Sequence, residues 1–388
     1  MLVVMTAMVA VGPLSTDLYL PSLPTIGVDL GADVARAQLT LGIFMAGFAA
    51  GTLLNGPLSD RFGRRPVMLC GLVLFALASA ACALAETIGQ LIVWRALEGF
   101  AGAAAPVVSR AVVRDLYQRE DAARILSYMT GAMALAPALA PALGGVIHGT
   151  FGWRGHFWVL AGTGVLLALV AVRTIGETNR NIDASAVSPL RLAAAVKRLV
   201  GHSTFLGYVF TNGFSYGGLF SFISGGSFVL ISALGVQPQN FGFLFMMVAA
   251  SFVVGGMIGG RLSRRVGMAR LIAVGVSIGV VGGTAGLMLA LSGVESIATV
   301  VGPTALVFFA YALVAPNCVA GAVSSFPDMA GTASSVAGFL QMATGATLGV
   351  VVGATFDGTA MPMFAVITAS TIMAAVIYFS RVRPRETA

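Results

Sequence analysis

Charge is what this sequence has least of. Of its 388 residues, 10% are charged and 57% are hydrophobic, whereas an ordinary soluble domain carries about 25% charged residues. Too few charges remain to cover a water-facing surface, and a mean hydropathy of +0.93 excludes a soluble fold. Cysteine is scarce as well. Cys70, Cys82 and Cys318 lie in apolar runs without metal-ligand spacing, which reads as three small buried hydrophobes. The three histidines, His148, His156 and His202, stand near the ends of apolar runs, again without ligand spacing. No loop is long enough for a phosphate-binding domain, so an ATP-driven pump is excluded, and no nucleophile–base set suggests a membrane enzyme. The apolar runs are continuous rather than alternating, which argues against a β-barrel.

What is there is a series of spans. A membrane-crossing helix needs about 20 mostly apolar residues. Twelve such runs are expected: 2–24, 36–57, 67–85, 88–110, 122–147, 154–175, 203–232, 239–260, 270–292, 297–320, 330–354 and 360–380. The N-terminal run reads as a retained helix and not as a cleavable signal. The longest polar connection, 176–202, follows the sixth span. The expected organisation is a six-helix bundle over 1–175, a cytoplasmic linker over 176–202, and a second six-helix bundle over 203–388.

The net charge of +7 would suggest nucleic acid in a soluble protein; here the placement of the charges assigns them to one membrane face. With a cytoplasmic N-terminus, the cytoplasmic loops and helix ends hold Arg61, Arg64, Arg65, Arg110, Arg114, Arg119, Arg124, Arg173, Arg180, Arg191, Lys197, Arg198, Arg261, Arg264, Arg265, Arg270, Arg381, Arg383 and Arg385. That is 19 of 22 basic residues; Arg36 and Arg154 fall outside, and Arg95 lies within a span. The positive-inside rule then puts both termini and the linker in the cytoplasm.

An internal repeat supports two halves. "GPLSDRFGRR" from Gly56 and "GRLSRRVGMAR" from Gly260 both fit G-x-L-S-x-R-x-G, 204 residues apart. Two parallel six-span halves are a recurring transporter architecture with a midplane site between them. In the first copy, Gly56 and Gly63 permit a tight turn, and Arg61, Arg64 and Arg65 favour an anionic lipid face. Asp60 suits either an arginine or a helix N-terminus.

The Gly56–Arg65 loop resembles the signature of the major facilitator superfamily. "STDLYLPSLP" at Ser15, "WRALEGFAGAAAPVVSRAVVRDLY" at Trp94 and "LAPALAPALGGVI" at Leu135 are similar to its Bcr/CflA group of bacterial drug–proton antiporters, and "FPDMAGTASSVAGFLQM" at Phe326 resembles the group's span 10–11 region. The resemblance implies the major facilitator fold: an all-α membrane protein with twelve transmembrane helices in two pseudo-symmetric six-helix bundles. It implies export of small lipophilic substrates from the bacterial inner membrane, by a monomer driven by the proton gradient with no cofactor. Pro137, Pro141, Gly144 and Gly145 match the antiporter motif of span five, with Ala140 where the family usually has glycine. The alternative is a proton-coupled exporter or symporter of an amino acid or sugar.

Charges within the membrane mark functional sites by default. Three qualify: Asp17, Arg95 and Glu98. At about 1.5 Å per residue, Asp17 and Arg95 each lie roughly 10 Å below the outer surface, so they are expected to face each other across the cavity, with Arg95 tuning Asp17 as the proton site. Glu98 shares Arg95's helical face. It is either a second proton site or an internal partner of Arg95, and stands where the family more often has glutamine. The competing readings are a wet helix-end carboxylate for Asp17 and a backbone-bonded structural arginine for Arg95. Arg110, Arg114 and Asp115 resemble a gate at the end of span four. Tyr19, Tyr128, Asn212, Phe214, Tyr216 and Asn317 are the candidate substrate contacts, with helix packing as the competing role.

Overall fold

A computed structural model describes residues 2–179, 182–183, 189–326 and 329–383. Arg180 and Arg385 lie outside the described residues, as do the side chains of Arg119, Pro137, Arg191 and Arg264. The protein is helical: α1 (Leu2–Asp17), α2 (Leu23–Asp29), α3 (Val34–Phe62), α4 (Arg64–Ala83), α5 (Ile88–Gly102), α6 (Ala104–Leu116), α7 (Arg119–Thr174), α8 (Pro189–Val200), α9 (Ser203–Ser227), α10 (Pro238–Val266), α11 (Met268–Leu291), α12 (Ile297–Ser324), α13 (Ala330–Thr355) and α14 (Met361–Ile377).

Among the described residues, eleven helical stretches are long and apolar enough to cross a membrane. Twelve runs become eleven stretches because spans five and six are joined in α7, a 56-residue element whose only non-helical residue is Gly152, at φ 67° and ψ −174°. That conformation is reserved for glycine, and the chain reverses there. His148 and His156 prove the reversal. Eight residues of straight helix would separate them by about 12 Å, yet their rings stack at 6.4 Å and both reach the hydroxyl of Ser22 at 2.7 Å. The arms 119–151 and 153–174 are therefore two crossings. The motif prolines leave the first arm helical; the bend comes at the glycine.

The first span is itself broken. α1 ends at Asp17, a 3₁₀ turn covers Leu20–Ser22, and α2 carries the chain on to Asp29. Pro21 and Pro24 sit in the first turns of these two short elements, where a missing N–H costs nothing. Inside the polar connection 176–202, α8 is a helix rather than a loop. Pro189 opens it, and Val196 and Leu199 pack onto the core of the second half.

Helices α1 and α3–α7 pack on one another, and α9–α14 do the same. Two extensive contacts cross between these groups: α3 with α13, and α7 with α10. Both lie at the end opposite the arginine-rich loops, so the molecule is closed at that far end. There the Gln38 side chain meets the Ser224 hydroxyl at 3.0 Å, and the same hydroxyl lies 3.3 Å from the Gly349 carbonyl. Gln38 and Ser224 are both fully buried.

Candidate functional site

Asp17 occupies the last position of α1 and is buried. Its carboxylate accepts a 2.8 Å hydrogen bond from the Thr16 hydroxyl, and among the described residues it forms no ion pair. α1 is thus interrupted at its acid. Interrupted helices that place a polar group at membrane depth are characteristic of transporter binding sites.

Arg95 does not face Asp17 as the depth estimate suggested. The α5 helix sets Arg95 and Glu98 one turn apart, and they pair at 2.8 Å, both with no solvent exposure. A partner on the same helix costs less chain ordering than one across a cavity, so the local pair forms. The remaining guanidinium donors go to the Ser15 and Thr40 carbonyls. Its flat faces lie against Phe44 at 4.2 Å, Tyr19 at 4.5 Å and Phe157 at 5.7 Å. Glu98 also accepts from the Ser79 hydroxyl at 2.9 Å and the Cys82 thiol at 3.6 Å. This knot binds α1, α3, α4, α5 and the second arm of α7, with every charge answered. Asp17 is left as the unpaired acid.

The substrate-contact candidates divide. Tyr19 is fully buried within the knot and donates to the Thr40 hydroxyl at 3.0 Å, since that hydroxyl's own proton goes to the Ala37 carbonyl at 2.6 Å. It braces Arg95 and is not open to a cavity. Tyr128 is exposed and accepts from Arg124 at 3.1 Å. Asn317 donates to the Leu313 carbonyl of its own helix. Phe214 packs beside Phe210 at 6.3 Å. Asn212 and Tyr216 come together with two residues that the sequence did not single out for this role. Asn212 donates to Gln341 at 2.7 Å, and Gln341 donates to Tyr311 at 3.1 Å. The Tyr311 ring lies 5.7 Å from Tyr216 and 5.9 Å from Phe252. The carbonyl oxygen of Asn212 is buried without a partner. A Gln or Tyr within an apolar run was the available signal for Gln341 and Tyr311.

At the arginine-rich end the motif residues form one cluster. Arg64 pairs with Asp60 at 2.5 Å and with Asp115 at 2.9 Å, so Asp60 takes an arginine rather than a helix end. Arg65 donates to the Val172 carbonyl at 2.9 Å. Arg64 and Arg65 are thus occupied by protein instead of lipid, whereas Arg61 lies over the exposed Phe62 ring. Arg114 donates to the Arg110 carbonyl. Gly63 has φ 97° and starts α4 as its cap.

In the antiporter motif, a Cβ on Gly144 would collide with the backbone carbonyl of Leu18, just past Asp17, and one on Gly145 would press on Pro238 and Gln239 of α10. Pro141 is buried beside them. A Cβ on Gly56, by contrast, would meet nothing nearer than Val107 at 4.0 Å, and α3 runs through Gly56, so the tight turn expected there forms only at Gly63. Gly144→Ala should therefore cost about 1–3 kcal/mol from forced backbone shifts and lower the thermal midpoint in detergent, while Gly56→Ala leaves it unchanged. Equal midpoints for the two variants would contradict this packing.

A family model described as Major Facilitator Superfamily matches residues 5–350. The chain is 32% identical over 376 residues to a bicyclomycin resistance protein homolog of Haemophilus influenzae, covering 95% of this chain and 92% of that one. It is 28% identical over 344 residues to multidrug resistance protein D of Escherichia coli, covering 88% and 85%. In fold it is similar to an inward-facing, unoccupied bacterial homolog of the human lysosomal transporter Spinster, with a TM-score of 0.78, 17% identity, and 98% and 96% coverage. It is also similar to a D-xylose–proton symporter, with a TM-score of 0.74, 15% identity, and 98% and 97% coverage.

Proposed function

This chain belongs to the major facilitator superfamily, and we propose from that premise that it exports small lipophilic drugs in exchange for protons. The observation that carries the reading is Asp17, a buried carboxylate with no ion pair at the break of α1. A lone charge at that depth is costly, and an acid in that position is suited to take up and release a proton as the space beside it opens to either side. Arg95 and Glu98 answer each other, which leaves Asp17 as the coupling acid. Substrate is held between Asp17 and the Asn212–Gln341–Tyr311 chain, with the rings of Tyr216 and Phe252 offering apolar contact. Such a mostly apolar space with few polar groups suits varied lipophilic compounds.

The glycine pair Gly144–Gly145 gives the first arm of α7 a close fit against both α1 and α10, so movement at Asp17 is felt across the two halves. The halves are 1–175 and 203–388, joined by 176–202. The arginine-rich end faces the cytoplasm with both termini, in a bacterial inner membrane. The protein works as a monomer, and the proton gradient is its energy source. The relatives' names, bicyclomycin resistance and multidrug resistance, support drugs over metabolites.

Inverted vesicles with an imposed pH gradient test this. Uptake of chloramphenicol, bicyclomycin or ethidium that collapses with the gradient is the expected result. Gradient-driven movement of an amino acid or sugar, with none of these three moving, would overturn it.

A further inference from the structure

Helix α4 begins without a cap of its own. Its N-cap is Gly63, which has no side chain, so the first N–H groups of the helix need acceptors from elsewhere. They find one 113 residues away. Glu177, three residues beyond α7, accepts from the Arg64 N–H at 2.9 Å and the Arg65 N–H at 3.1 Å. The same carboxylate accepts from the N–H groups of Thr178 at 3.0 Å and Asn179 at 2.8 Å. Its two neighbours are also engaged. The Thr178 hydroxyl donates to Asp115 at 3.1 Å, and the Asn179 amide donates to the Asp60 carbonyl at 3.0 Å and the Ser59 carbonyl at 3.4 Å. The Asp183 N–H bonds the Asp60 carbonyl as well, at 3.1 Å. Three consecutive residues thus tie the end of α3, the start of α4 and the end of α6 to the exit of α7.

Burial pushes the Glu177 carboxyl up, but its four N–H donors outweigh that and hold it below the usual glutamate range. A carboxyl with a depressed pKa keeps its bonds until pH falls through that lowered value, so the tie is intact across the physiological range. The repeat offers a comparison. Gly267 caps α11 with nearly the same backbone, φ 84° and ψ 157° against 97° and 153° for Gly63. Among the described residues a Cβ there would meet nothing within 4 Å, whereas at Gly63 it would meet Glu177.

We propose that Glu177 is a positioning residue that anchors the inter-bundle linker onto the Gly56–Arg65 loop, so that the linker moves the loop, and not merely the end of span six, when the arginine-rich end closes. The proposal rests on the alternating-access reading above. Since the far end is shut in this structure, the opposite state must bring the arginine-rich ends together.

The test needs no substrate. Spin labels are placed at Gln118→Cys and Met268→Cys, both exposed at that end, with Cys70 replaced by serine; Cys82 and Cys318 are buried. Inter-label distances are then measured in the full chain, with and without Glu177→Ala or Glu177→Gln. In the otherwise unaltered protein a minority short distance is expected. Glu177→Ala should reduce that population at least threefold and speed amide exchange at Arg64 and Arg65 at least tenfold. Glu177→Gln keeps the oxygen that takes three of the four bonds, so it should stay within twofold of wild type in both readouts and remain folded where the alanine variant is unstable. An unchanged short-distance population in the alanine variant, faster exchange notwithstanding, would overturn the proposal. So would equal losses in both variants, or a wild type without the short distance. Failure of the export reading would appear separately, as wild-type vesicles that move none of the probes.

Discussion

Asp17→Asn should abolish gradient-driven export while leaving substrate exchange intact. Asparagine nearly matches the carboxylate in shape and keeps an oxygen for the Thr16 hydroxyl, so the break of α1 is preserved. What it cannot do is carry a proton. In inverted vesicles, accumulation driven by a pH gradient should fall to the level of empty vesicles, a change of at least twentyfold if the acid is the coupling site. Exchange of labelled for unlabelled compound at equal pH should persist within about threefold, since in that mode no net proton moves. Full gradient-driven export by the asparagine variant would remove Asp17 from the mechanism. Loss of both modes together would mean that its charge is required to hold substrate, and not for coupling alone.

The second large effect concerns stability. Arg95→Met leaves Glu98 charged and fully buried with only the Ser79 hydroxyl and the Cys82 thiol for company. Breaking a buried pair by removing one partner costs about 3–5 kcal/mol. The aromatic faces of Phe44, Tyr19 and Phe157 also lose the cation they surround, each contact contributing about 0.5–2 kcal/mol. Replacing both members, Arg95→Met with Glu98→Leu, removes the orphaned charge and should recover most of the loss, because a buried pair is often replaceable by apolar residues of similar volume. Unfolding in mixed micelles by denaturant reads both. A single variant as stable as wild type would show that the knot contributes little. A double variant worse than the single would show that the charges themselves, and not their balance, hold the five helices together.

These two sites mark where the sequence was readable and where it was not. Spans are legible because a membrane enforces long apolar runs, and a charge inside one is conspicuous, so Asp17, Arg95 and Glu98 all stood out. Their pairing was left open, with Glu98 either a second proton site or the partner of Arg95, and the structure makes it the partner. Depth along the helix puts Asp17 and Arg95 at one level, but depth says nothing of rotation, and rotation turns Arg95 toward its own helix neighbour. Tyr19, named as a substrate contact with packing as the alternative, takes the packing role for the same reason: it lies two residues from Asp17 yet faces the interior of its bundle. Ser22, His148 and His156 carry no spacing signal, because their meeting depends on the turn at Gly152. Glu177 looked like one more charge in a polar connection. Its partners are backbone N–H groups, which leave no trace in residue type.

The buried contact between Gln38 and Ser224 has a consequence for how the far end opens. Ser224 has one hydroxyl proton and two neighbouring oxygens, from Gln38 and Gly349, while the amide nitrogen of Gln38 is left without a partner. Turning the amide over, an assignment that hydrogen bonding must decide, gives a directed chain from amide nitrogen to hydroxyl to carbonyl. Either way the seam between α3 and α13 is buried and holds an amide that separation would expose. Parting the halves there is therefore a wetting event: water must enter to replace the broken bonds before the gap can widen. The lifetime of the closed seam is then set by water activity as well as by protons, and osmolytes excluded from protein surfaces lengthen it.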